Sequence, residues 1–123
     1  MLLELAGCRL IGDYKRDKIM SPTKKYYLTA TVNRTNSSKE DYASVIIHLY
    51  SFDGQLLSNF DTRASDASTW AVGWDKSRDT IILYSGDINN VALKIENGQL
   101  KHIELSGDLN ARANELTQEK YKE

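Results

Sequence analysis

From Tyr26 the chain alternates. Tyr26, Leu28, Ala30 and Val32 fall on one side of an extended backbone, and Tyr27, Thr29, Thr31 and Asn33 on the other. A period of two with one apolar face predicts a half-buried strand of an antiparallel sheet. Tyr42 to Phe52 repeats the pattern with Val45, Ile47 and Leu49 opposite Ile46, His48, Tyr50 and Phe52. Two mostly apolar faces predict a central strand covered on both sides, or an interface. Asp53-Gly54 is hairpin-turn chemistry and leads into a shorter strand, Gln55 to Asn59. Further on, Trp70, Val72 and Trp74 alternate with Ala71, Gly73 and Asp75, so both tryptophans point the same way. Thr80 to Tyr84 is a β-branched run, and Val91, Leu93 and Ile95 alternate with Ala92, Lys94 and Glu96. Asn97-Gly98, the strongest short hairpin signal in the chain, returns it through Gln99 to Leu105.

Polar stretches separate these runs. Residues 12–25 carry five basic and two acidic side chains around the single proline, Pro22, and read as a loop with a short strand around Ile19. Residues 33–41 (NRTNSSKED) and 60–68 also read as loops, and 75–78 and 85–89 as turns. The period changes only at the end: Leu109, Ala113, Leu116 and Tyr121 recur at helical spacing, with Ser106 or Asp108 available as the cap. The expected fold is therefore mainly β, with six or seven antiparallel strands in one sheet or small sandwich and one C-terminal amphipathic α-helix. At 123 residues it fits a single domain: an N-terminal segment and basic loop over 1–25, strands over 26–105 and the helix over 106–123. Ser85-Gly86-Asp87-Ile88-Asn89 is echoed by Ser106-Gly107-Asp108-Leu109-Asn110, which fits two turns leaving strands with similar chemistry.

Charge and composition narrow the function. Sixteen Lys and Arg against 17 Asp and Glu leave a net charge of -1, which argues against a nucleic-acid partner. No apolar run reaches the roughly 18 residues of a transmembrane span. One cysteine, Cys8, excludes an internal disulfide and a cysteine-based zinc site. Residues 1–60 hold eight basic and six acidic side chains, whereas 61–123 hold eight and eleven. An acidic second half suits a basic partner such as a nuclease toxin, the arrangement of an immunity protein.

Catalytic patterns are thin. His48 and His102 have no neighbour at metal-ligand spacing, and no nucleophile elbow or glycine-rich phosphate loop is present. Neither a metal nor a cofactor is expected. The enzymatic alternative is a small hydrolase or isomerase pairing His48 or His102 with a turn aspartate, Asp75 or Asp87. Binding has the better case, because seven tyrosines and two tryptophans supply contact area at low entropy cost. Trp70, Trp74, Tyr50 and Tyr84 are the candidate contact residues, although tryptophans on one strand face are more often core. The expected partner is another protein, with a second copy of this chain as a further possibility.

Leu5-Ala6-Gly7-Cys8 matches a lipobox, and a polar tether and a sheet domain follow it. In this the chain resembles small bacterial envelope lipoproteins with β-rich domains. The resemblance implies lipidation at Cys8 and a cell-envelope location for a domain that scaffolds, inhibits or binds. Read by residue type alone, 1–11 is a first strand or short helix with a buried thiol, and the location is then cytoplasmic. Ser21-Pro22-Thr23-Lys24-Lys25-Tyr26-Tyr27 and Trp74-Asp75-Lys76-Ser77-Arg78-Asp79-Thr80-Ile81 resemble the opening turns of TolB-like propeller blades. At about 40 residues per blade the chain is too short to close a propeller, and shared strand-turn-strand physics accounts for the likeness.

Overall fold

The computed structural model describes residues 18–33 and 43–122. Cys8 and most of the 33–41 stretch lie outside them. Eight strands and one helix follow in order: β1 (Ile19–Met20), β2 (Tyr26–Asn33), β3 (Ser44–Ser51), β4 (Leu56–Ser65), β5 (Trp70–Trp74), β6 (Thr80–Ser85), β7 (Val91–Glu96), β8 (Gln99–Ile103) and α1 (Gly107–Lys120). The first four strands form one antiparallel meander and the last four another. The mainly β expectation with a C-terminal helix holds. Among the described residues the strands number eight, four in each of two sheets.

Three layers result. Leu28, Ile47 and Leu49 of the first sheet pack against Trp74, Ile81, Leu93 and Leu100 of the second. Beside them, Ala30, Val45 and Ala64 meet Trp70 and Leu83. The opposite face of the second sheet offers Ala71, Ile82 and Ala92 to the helix stripe Leu109, Ala113 and Leu116. Its residues at i, i+4 and i+7 share one face of a helix. Ser106 caps it, its hydroxyl accepting from the Leu109 N–H at 3.3 Å. Small residues on β5 let the helix come close: a Cβ built on Gly73 would stand 2.5 Å from Leu116 Cδ2.

One element departs from the reading of the pattern. Residues 60–65, read as loop, complete β4, the edge of the first sheet. An edge strand needs only one buried face, so its polar residues do not break it. Between Asp61 and Ser65 the register with β3 shifts, and Arg63 adopts a positive φ of 68°. Side chains make good the interrupted ladder. The Thr62 hydroxyl donates to the Val45 carbonyl at 2.8 Å and accepts from the Ala64 N–H at 3.0 Å. Asp61 accepts from the Arg63 N–H at 2.9 Å.

Candidate functional site

The four aromatic candidates separate into three environments. Trp70 and Trp74 are 2% and 3% exposed, with their rings between the sheets. Tyr50 lies on the outer face of the first sheet, stacked on Tyr27 with centroids 4.8 Å apart and planes 11° from parallel. Tyr84 packs against the helix side of the second sheet. They do not form one aromatic patch.

The histidines are likewise separated. His48 lies on the outer face of the first sheet, opposite Thr29 in the register. Its Nδ1 is 2.6 Å from Asn59 Oδ1, an acceptor, and its Nε2 is 2.7 Å from the Thr31 hydroxyl. The Asn59 oxygen can only accept, so Nδ1 donates to it, while the Thr31 hydroxyl can donate to Nε2 or accept from it. His102 meets the Phe60 ring at 5.7 Å. The two turn aspartates have other partners. Asp75 accepts from Arg78 Nε at 2.8 Å, and Asp87 accepts from the Ser65 N–H at 3.0 Å. Desolvation pulls the Asp75 carboxyl up, but Arg78 and the N–H groups of Lys76 and Ser77 together hold it below its usual value. Among the described residues no group of three His, Cys, Asp or Glu could hold a metal ion.

What the fold does assemble is a groove of about 490 Å³ along β5. β5 is one edge of the second sheet and β1 one edge of the first. The two edges are tied together: Trp74 Nε1 donates to the Ile19 carbonyl at 2.8 Å, and Thr23 of the β1–β2 turn bonds Asp79 of the β5–β6 turn. Ile19, Met20 and Pro22 form one wall, Leu116, Arg112 and Lys120 of α1 the other, and β5 runs between them. Ile19 and Met20 are 37% and 45% exposed, unusual for large apolar side chains beside a core.

The backbone of β5 decides what this groove presents. Trp70 pairs with Ser85 and Trp74 with Ile81 in the register. Gly86 N–H donates to the Thr69 carbonyl, and Asp75 N–H donates to the Thr80 carbonyl. Hydrogen-bonded pairs alternate in an antiparallel ladder. Residues 69, 71, 73 and 75 therefore face β6, and the main-chain groups of Trp70, Val72 and Trp74 face the groove.

Both ends of that outward row are covered by helix side chains. At Trp70 the carbonyl accepts from Lys120 Nζ at 2.7 Å and from the Tyr121 hydroxyl at 3.1 Å, while the Trp70 N–H donates to the same hydroxyl at 3.3 Å. The Lys120 ammonium also stands 3.2 Å from the Trp70 ring centroid, a cation–π contact. Burial pushes this lysine down to about 8, against the opposing pull of Asp66. At the other end Arg112 Nε donates to the Trp74 carbonyl at 2.9 Å, and its Nη1 donates to Glu115 and Glu119. Among the described residues no side chain or turn bonds Val72 N–H, Val72 C=O or Trp74 N–H.

Sequence patterning brought Trp70 and Trp74 forward for their rings, whereas it is their backbone that borders the groove. Ile19, Met20, Arg112, Leu116 and Lys120 were not singled out as contacts. The available signal was weak: Lys120 and Tyr121 adjoin at the end of an amphipathic helix, the usual place to cover a neighbouring edge. Compared with family models, curated proteins and solved structures, the chain finds no match in any of the three.

Proposed function

We propose that this chain is a non-catalytic binding module, that its partner is another protein, and that the contact site is the groove along β5. The observation that carries the reading is the combination of exposed apolar side chains with open strand main chain in one concavity. The hydrolase or isomerase reading has less support, because the hydrogen-bond partners of His48 are Thr31 and Asn59 rather than a carboxylate. The immunity-protein reading is a narrower form of protein binding. It draws on the eleven acidic against eight basic side chains of residues 61–123. Lipid tethering through Cys8 is a separate proposal, tested by intact-mass measurement for a diacylglyceryl group.

The binding reading is tested by site-specific photocrosslinking in extracts of the source cells. A benzophenone side chain at Met20 should capture a discrete protein partner. One at Lys101, exposed on β8 at the edge of the second sheet opposite β5, should not. Equal capture from both positions, or none at Met20, would remove the groove as the contact site.

A further inference from the structure

We infer that the occupant of the groove is a short extended peptide segment, added beside β5 as a further strand of the second sheet. The inference rests on the binding reading above and adds the mode and the chemistry of the partner. Val72 N–H, Val72 C=O and Trp74 N–H are spaced as one rung and a half of a β-ladder, and an extended backbone is the ligand whose donors and acceptors repeat at that spacing.

The covered ends set the length. Lys120 and Tyr121 hold the Trp70 groups and Arg112 holds the Trp74 carbonyl, so a long edge-to-edge ladder has no free groups to continue on. Such side-chain covers are a usual protection of a sheet edge against pairing with another sheet. Here the cover leaves a gap at Val72. About three peptide residues span it, at roughly 3.3 Å each. The walls also favour a single strand over the edge of a second folded sheet, because β1 rises on one side and α1 on the other.

Alternation sets the side chains. The peptide residue opposite Val72 points, like Val72, towards the first sheet, where Ile19, Met20 and Pro22 form the wall. That residue is apolar. Its two neighbours point to the helix side, where Arg112 and Lys120 stand with Glu119. There Arg112 is already paired with Glu115 and Glu119, and Lys120 with Asp66, so these positions carry no charge preference. The occupant is thus an extended stretch with one apolar residue opposite Val72.

The test uses the full chain and a phage-displayed random decapeptide library, followed by synthetic peptides of the selected sequences. The expected selection is one anchoring apolar residue in an otherwise variable sequence, with binding lost in Met20→Asp. Replacing Val72 by its α-hydroxy analogue deletes one N–H and keeps the side chain. It should weaken binding about tenfold, the worth of one hydrogen bond. N-methylation along the peptide should alternate, with one amide near the apolar residue sensitive and its immediate neighbours tolerant. Peptides that lose binding in Met20→Asp but ignore the Val72 ester and N-methylation would overturn strand addition and leave the groove standing. Peptides indifferent to Met20→Asp would overturn the groove itself. A concentration-dependent dimer abolished by the Val72 ester would make a second copy the occupant and refute the peptide.

Discussion

Gly73→Ala is the most informative single methyl that can be added to this protein. The new Cβ would stand 2.5 Å from Leu116 Cδ2 and 3.1 Å from Cδ1. Carbon pairs rest at about 3.5–4.0 Å, so the leucine, or the helix carrying it, must retreat by about 1 Å. Leu116 is 7% exposed and ends the buried helix stripe, so overpacking there costs about 1–3 kcal/mol. Removing a glycine from a strand returns about 0.5–1 kcal/mol, which leaves a net loss of about 0.5–2 kcal/mol. Leu116→Ala alone should lose about 2–3 kcal/mol, near the low end for such truncations because the site borders the groove. In the double variant the alanine methyl meets open space, so Gly73→Ala becomes neutral or stabilising. The cycle, measured by urea denaturation at constant m-value, should give a favourable coupling of about 1–2 kcal/mol. Additivity within about 0.5 kcal/mol would refute the close seating of α1 on β5, and with it the helix wall of the groove.

Three further outcomes follow from the same structure. With both indoles between the sheets, tryptophan emission should be blue-shifted and acrylamide should quench it weakly, whereas strong quenching would place Trp70 or Trp74 on the surface. Thr62→Val keeps the shape and deletes the hydroxyl that bridges Val45 and Ala64 across the register shift. It should cost about 1–3 kcal/mol in chemical denaturation, and a neutral result would deny that bridge a role. Lys120 holds fewer protons in the folded than in the unfolded chain between pH 8 and 10.5, because burial lowers its folded value from 10.5 to about 8. Stability should therefore rise with pH across that window relative to Lys120→Met, with the charge-burial penalty fully present below pH 8. A fall, or parallel profiles for the two proteins, would contradict the buried placement of that ammonium.

Period-two patterning located the strand centres of the first sheet, where one apolar face meets the core and alternation maps onto burial, whereas β5 and β6 of the second sheet are buried on both faces. Val45, Ile47 and Leu49 of β3 illustrate this, all three facing the second sheet. The helix was legible for the same reason, with Leu109, Ala113 and Leu116 as its stripe. Residues 60–65 were not, since an edge strand with Asp61, Thr62, Arg63 and Ser65 carries no continuous apolar signal. Its strand character comes from pairing with β3 and from the Thr62 hydroxyl. The choice between one sheet and a small sandwich stayed open, because alternation reports that a face is buried and not which element buries it.

The groove was the least legible feature. Its walls join residues a hundred positions apart, Met20 and Lys120, and its floor is backbone, which side-chain reading does not see. Which main-chain groups of β5 point outward depends on the ladder parity with β6. That parity is set by the turn from Asp75 to Thr80, not by any residue within β5.

The most direct test of the account is site-resolved amide hydrogen exchange along β5, with and without a bound peptide. In the free protein the Ala71 and Gly73 amides should be protected by β6, and those of Val72 and Trp74 should exchange much faster. A selected peptide should slow Val72 and Trp74 and leave Ala71 and Gly73 unchanged. Equal protection of all four amides before peptide is added, or slowing confined to the Tyr50 and His48 face of the first sheet, would contradict an open β5 edge as the binding site.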